Sequence, residues 1–213
     1  LPDGQLIQKG KLKGNFVGGI VYSAGMDNGE SQIINCSNFA DINAVNDCGG
    51  IAVDISQTII EHSSNCGNLY GRDIGGIVNY ARDSVIHKVS NNGSINSYNY
   101  GDHVGGIVGW LWSNSSITNK SYYGGTSVSG TRNIGGLVGS DYLDKGNNNS
   151  QNSVLHDTTT YISNSFYNAD SVNINSNKNV TLGAMYNKQF TDWIGANRVV
   201  LVASDRFGTA DGN

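Results

Sequence analysis

Charge is scarce in this chain: Asp, Glu, Lys and Arg together make up 14% of its 213 residues, and Pro occurs once. Composition of that kind excludes a highly charged disordered chain and a Pro-rich linker. The net charge of −4 leaves no basic footprint for nucleic acid. No apolar run approaches the roughly 20 residues that a membrane-spanning helix needs. Cysteines number three, Cys36, Cys48 and Cys66. The odd count leaves at least one thiol without an intramolecular partner, and their spacing matches no zinc pattern. Catalytic signatures are missing too: there is no HExxH, no GxSxG and no phosphate-binding loop.

Glycine, in contrast, is abundant at 29 residues, and it is ordered. Five blocks carry a Gly-Gly pair followed by aliphatic residues: Val17-Gly18-Gly19-Ile20-Val21, Cys48-Gly49-Gly50-Ile51-Ala52, Ile74-Gly75-Gly76-Ile77-Val78, Val104-Gly105-Gly106-Ile107-Val108 and Ile134-Gly135-Gly136-Leu137-Val138. Their first glycines stand at 18, 49, 75, 105 and 135, which is 31, 26, 30 and 30 residues apart. A period in that range signals a repeat architecture. None of the blocks fits a dinucleotide-binding turn, and none carries the aspartate of calcium-binding nonapeptide repeats. Paired glycines suit a corner that needs positive φ or close backbone approach between coils.

A second element follows each block. Ile33 returns as Ile42, Ile60 as Leu69 and Ile86 as Ile95, nine positions on, with Ser-Asn-x-small between them. The fourth copy starts at Ile117 and closes at Thr126 or Val128, and a fifth starts at Ile162 after an insertion at 141–158. Each repeat therefore reads as two short aliphatic strands joined by Gly/Asn/Ser turns. Such a unit cannot bury its apolar side alone, but stacked coils about 4.8 Å apart can. The expected fold is all-β, a parallel β-solenoid of about five to six coils of roughly 30 residues over 1–168. Two adjacent columns compete for the interior, Ile20/Ile51/Ile77/Ile107/Leu137 and Val21/Ala52/Val78/Val108/Val138; alternation admits only one unless an arc intervenes. Cys48 shares a column with Val17, Ile74, Val104 and Ile134 and reads as core. In-register stacking also predicts a charge column of Arg72, Asp102 and Arg132.

Beyond residue 168 the pattern changes. Leu182, Met185, Tyr186, Phe190, Trp193 and Ile194 recur at helical spacing, so 169–213 reads as a capping segment with one helix at about 182–195, ended by Gly195, and a short strand at 199–202. The chain opens Leu1-Pro2-Asp3 with no initiator Met and reads as part of a larger protein.

The GGIVG and GGLVG blocks, best seen in Gly105–Gly109 and Gly135–Gly139, together with the Ile-x-Asn-Cys-Ser-Asn stretch, resemble the GLUG-motif repeats of bacterial secreted and cell-surface proteins, including non-catalytic regions of some immunoglobulin A1 metallopeptidases. The resemblance covers roughly 14–167. Ile51-Ala52-Val53 and Ile77-Val78-Asn79 depart from it by lacking the third glycine. It implies a secreted or surface location and a stalk, spacer or adhesive role, with a host or cell-wall glycan or protein as partner. It implies no active site, cofactor or metal.

Candidate ligand-binding residues are aromatic: Tyr80, Trp110 and Trp112 in adjacent coils, with Tyr122 and Tyr123 in neighbouring turns, since aromatic faces stack on sugar rings or anchor partners. In-register stacking for stability is the competing reading of Tyr80 over Trp110. A rival function is a polysaccharide-degrading β-helix enzyme, for which Asp47 and Asp73, equivalent in successive repeats, are the candidate carboxylate pair. Their alternative role is local turn hydrogen bonding. His62 and Cys66, with Cys36 one coil away, read as a surface histidine and packed thiols rather than as metal ligands.

Overall fold

The computed structural model describes residues 10–25, 29–98, 101–112, 114–131, 133–142, 162, 165–167 and 173–174. These residues contain short β-strands and no helix. All strand pairs are parallel, and equivalent strands of successive repeats stack into five sheets. The chain is a parallel β-solenoid.

Each coil passes through the sheets in one order. The first sheet comprises Lys11–Gly14, Asp41–Ala44, Leu69–Gly71, Ile95–Ser97, Ser127–Ser129 and Asn173–Ile174. The second holds Val17–Gly18, Cys48–Gly49, Ile74–Gly75, Val104–Gly105 and Ile134–Gly135, the openings of the five Gly-Gly blocks. The third holds Val21–Ala24, Ala52–Ser56, Val78–Arg82, Val108–Trp112 and Val138–Tyr142. The fourth is built of Ser31–Ile34, Thr58–Glu61, Val85–His87 and Ser116–Thr118, extended by a bridge from Ile117 to Ile162. The fifth consists of Ser37–Asn38, Ser64–Asn65, Ser90–Asn91, Tyr122–Tyr123 and Phe166–Tyr167. The Gly-Gly blocks thus mark four full turns between Val17 and Ile134.

Sequence spacing finds two aliphatic strands per repeat, and the structure has five strands. The two found by spacing are the fourth and first sheets: Ile60, Ile86 and Ile117 are fully buried on one side of the core and Ile42, Leu69 and Ile95 on another. Val128, not Thr126, closes the drifted copy, since it pairs with Ile95 and is buried. Spacing misses the fifth-sheet strands, two residues long and Ser-Asn in three coils, which carry too little hydrophobic alternation to register, and it does not divide each Gly-Gly block into a two-residue second-sheet strand and a four- to five-residue third-sheet strand.

Both competing columns lie in the core. Ile51, Ile77, Ile107 and Leu137 are fully buried, as are their neighbours Ala52, Val78 and Val108. The backbone explains this. The amides of Ile51 and Ala52 both donate to the carbonyl of Ile77, at 2.8 and 3.1 Å, and those of Ile77 and Val78 both donate to Ile107 O, at 2.8 and 3.1 Å. The amides of Ile107 and Val108 converge on Leu137 O in the same way. The coils stay in one-to-one register on both sides of this point (Cys48 with Ile74, Ala52 with Val78), so the shared carbonyl marks a bend repeated in every coil, an arc that lets consecutive side chains point inward. In the first coil Ile20 remains 47% exposed.

The other corners use different devices. Between the third and fourth sheets Gln57 and Asp83 take φ of 48° and 47°; between the fourth and fifth, Asn35, His62, Lys88 and Asn119 take 56°, 49°, 51° and 54°. Hydroxyls satisfy the backbone there: Ser84 Oγ accepts from Thr58 N–H at 3.1 Å and donates to Arg82 O at 2.7 Å. Inside the fifth sheet Asn38, Asn65 and Asn91 form a buried ladder, with Nδ2 to Oδ1 distances of 2.8 Å at both steps.

The helix expected at 182–195, the strand at 199–202 and most of the 141–158 insertion lie outside the described residues, as does Arg132 of the charge column. Arg72 meets two other aspartates: its Nη2 donates to Asp47 Oδ1 at 2.9 Å in the preceding coil, and its Nε lies 3.8 Å from Asp73 Oδ2. The aspartate beside it in sequence and the one in the coil before supply the counter-charge.

Candidate functional site

The glycine pairs bring the second and third sheets together at a tight corner. A Cβ on Gly49, Gly75 or Gly105 would fall well inside 3.0 Å of a backbone carbonyl three residues on (Ala52, Val78 and Val108), and on Gly50, Gly76 or Gly106 it would strike the carbonyl of the next coil's second glycine. Close approach is what these glycines supply; none of them adopts positive φ. At this corner, residues just before and just after the blocks line an open cleft of about 420 Å³. Phe16, Asp47, Arg72, Asp73 and His103 contribute to its lining from before the blocks. Tyr22, Val53, Asp54, Asn79, Tyr80, Trp110 and Trp112 contribute from after them, so four consecutive coils take part.

Three of the aromatic candidates meet here. Tyr80 pairs with Trp110 across the sheet, its ring centroid 5.2 Å away at 81°, and lies 5.7 Å from Trp112. Trp110 and Trp112 are 5.0 Å apart. His103 stacks on Trp110 at 4.4 Å and 14°, and its Nδ1 is 2.7 Å from Ser140 Oγ. At the other end of the cleft, the exposed rings of Phe16 and Tyr22 meet edge-on at 6.2 Å. Tyr122 and Tyr123 are not part of this group. They belong to the fifth sheet, where Tyr123 is fully buried, continues the column of the asparagine ladder and donates its hydroxyl to Ser127 O at 2.6 Å.

The cleft is acidic. Burial pushes the Asp47 carboxyl above its ordinary range and the charge of Asp73 adds to this, with Arg72 opposing both. Asp73 Oδ1 accepts the backbone N–H of Asp102, 29 residues on in the next coil, at 2.7 Å, so this bond ties successive coils together rather than closing a local turn. Burial also raises Asp54, with Arg82 pulling the other way. Asp54 Oδ1 and Asn79 Oδ1 are buried acceptors with no hydrogen-bond partner among the described residues. Asp54, Asn79 and His103 are absent from the sequence-based candidates. Their signal was positional: each lies within a few residues of a Gly-Gly block, on the outer side of the corner.

Asp54 makes a pH prediction. Its folded-state pKa is raised above the ordinary 3.8, so its protonated form favours folding. That contribution is complete below the unfolded value and is lost as pH rises through the folded one. Asp54→Asn is therefore expected to raise the thermal midpoint near pH 7 and leave it unchanged near pH 3. A variant less stable than the parent near pH 7 would mean that the carboxylate is held by a favourable partner.

His62 lies at a corner with its Nδ1 3.3 Å from Glu61, Cys48 is fully buried, and Cys36 is half-buried. Among the described residues no group of three His, Cys, Asp or Glu side chains is placed to hold a metal ion. No helix among them is long and apolar enough to cross a membrane.

Fold and cleft together define the class: a parallel β-solenoid with an aromatic, acidic cleft running along its axis beside the glycine corner. Comparison with protein-family models, with curated proteins and with solved structures gives no match for this chain.

Proposed function

We propose that this chain is a non-catalytic repeat region of a secreted or cell-surface protein, serving as a stalk that presents a ligand-binding face. The observation that carries the reading is the cluster of Tyr80, Trp110 and Trp112 in the cleft, drawn from adjacent coils. Aromatic side chains that share a cleft with unpaired acceptors can stack on a ligand and orient it. The GLUG-like blocks support the same assignment, since that resemblance implies a surface role without an active site.

A glycan array with purified protein tests it. Trp110→Ala/Trp112→Ala is expected to weaken any specific binding about 30-fold or more, the scale of a hot-spot truncation. Circular dichroism of the variant must remain that of the parent. Specific binding that survives the double substitution would move the ligand surface elsewhere.

A second reading, a polysaccharide-degrading enzyme, is favoured by one observation: two carboxyls with raised affinity for protons, Asp47 and Asp54, share the cleft. A general acid of that kind is half of a glycosidase. Incubating each array hit with the protein and looking for shortened products separates the two readings. Turnover abolished by Asp47→Ala or Asp54→Ala would establish the enzyme and retire the stalk.

A further inference from the structure

From the polar atoms of the cleft we infer that its ligand is a neutral, hydroxyl-rich linear glycan rather than an anionic one. This rests on the proposal that the cleft is the binding surface. Three observations carry it.

The first is the pair of orphaned acceptors. Asn79 is only 6% exposed, and its Oδ1 has no hydrogen-bond partner among the described residues. Asp54 Oδ1, one coil below and beside Tyr80 in the ladder, is in the same state. A buried acceptor without a donor is costly, and native structures keep few of them. Both atoms belong to residues that line the cleft. Neither atom is open to a water-sized group as the cleft stands, so a ligand donor completes them only as the Asn79 and Asp54 side chains rotate toward the cleft. What they require is O–H or N–H groups; a ligand presenting only acceptors gains nothing there.

The second observation is charge. Asp47, Asp54 and Asp73 line the cleft against one cation, Arg72, whose guanidinium Asp47 already holds at 2.9 Å. A uronate or sulfate would meet carboxylates, and unpaired like charges act against a ligand as effectively as missing contacts. The third is shape. Lining residues come from four successive coils, three steps of about 4.8 Å, which suits an extended chain better than a single ring.

Asn79 offers a substitution with a structural precedent. The same position one coil below is occupied by Val53, which is 4% exposed. Asn79→Val therefore fits the column and removes the orphaned acceptor. The expected result is opposite in two readouts: the melting midpoint holds or rises by about 2–4 °C, while affinity for the ligand falls about tenfold. A merely structural asparagine would lower the midpoint and leave the affinity alone.

The experiment is calorimetric titration of the whole chain, of Asn79→Val and of Trp110→Ala/Trp112→Ala. The probes are neutral hexose hexamers of the gluco, galacto and manno series, uronate hexamers, and a lysine-rich peptide. Binding of a neutral hexamer that both variants weaken supports the inference. Trp-dependent binding of the uronate hexamers with equal or greater affinity overturns it and leaves the cleft as the binding surface, as does Trp-dependent binding of the peptide alone. Neutral binding unaffected by Asn79→Val overturns the role of the orphaned acceptors. Absence of any Trp-dependent binding overturns both this inference and the function on which it rests.

Discussion

Replacing Gly75 by alanine is expected to cost about 4 kcal/mol or more, in the range reserved for severe steric conflict. The added Cβ would strike the carbonyl of Val78 in its own coil and the amide of Gly109 in the next. Both are backbone atoms in strands with partners on each side, so neither can yield without breaking ladder bonds. The corner is repeated along the axis, and a displaced rung disturbs the coils on either side of it. Gly29→Ala is the matched control: a Cβ there meets nothing within 4 Å, and the change should stay within about 0.5 kcal/mol. Thermal unfolding of the two variants checks this. Equal midpoints for Gly75→Ala and the parent would mean that the corner is looser than the structure has it.

The asparagine ladder should rank next. Asn65 is fully buried, donates from Nδ2 to Asn91 Oδ1 and to Gly67 O, each at 2.8 Å, and accepts from Asn38 Nδ2 at 2.8 Å. Asn65→Ala removes all three bonds and leaves a cavity lined by polar atoms, at a cost of about 3–5 kcal/mol. Its strand neighbour Ser64 points outward, and its hydroxyl contact with Ser37 at 2.9 Å is exposed, so Ser64→Ala should cost little. Chemical denaturation distinguishes them, and a comparable loss for both would contradict the inward placement of the ladder.

The period of the Gly-Gly blocks and the nine-residue return from Ile60 to Leu69 were enough to read a parallel solenoid, because equivalent residues stack and each column repeats one chemistry. Choosing between the Ile51 and Ala52 columns was beyond that logic. The answer depends on a bend at which two amides share the carbonyl of Ile77, and such a bend breaks the alternation that would have to reveal it. The Ser-Asn stretches were visible as a motif, yet nothing in their composition says that Asn65 faces inward and Ser64 outward. Of the aromatic candidates, Tyr80, Trp110 and Trp112 share a strand register and do meet. Tyr123 looks equivalent by residue type, but it occupies the column of Asn91 and so lies in the core. Asp54 and Asn79 went unnoticed because their meaning lies in what surrounds them, which sequence order does not convey. The cleft itself is a product of stacking: Asp47, Asp73 and His103 come together only because the coils are in register.

That register can be measured directly. Ser37 and Ser64 are Cα partners in adjacent coils, about 4.8 Å apart by the spacing of paired strands, within the range that a disulfide spans. Ser37 and Ser90 are two coils apart, roughly twice that distance and beyond it. In a background of Cys36→Ser, Cys48→Val and Cys66→Ser, the Ser37→Cys/Ser64→Cys chain should close a disulfide on mild oxidation, detected as a mass loss of about two hydrogens that reduction reverses, and Ser37→Cys/Ser90→Cys should not. Failure of the first pair, or equal closure of the second, would contradict the stacking that builds the cleft.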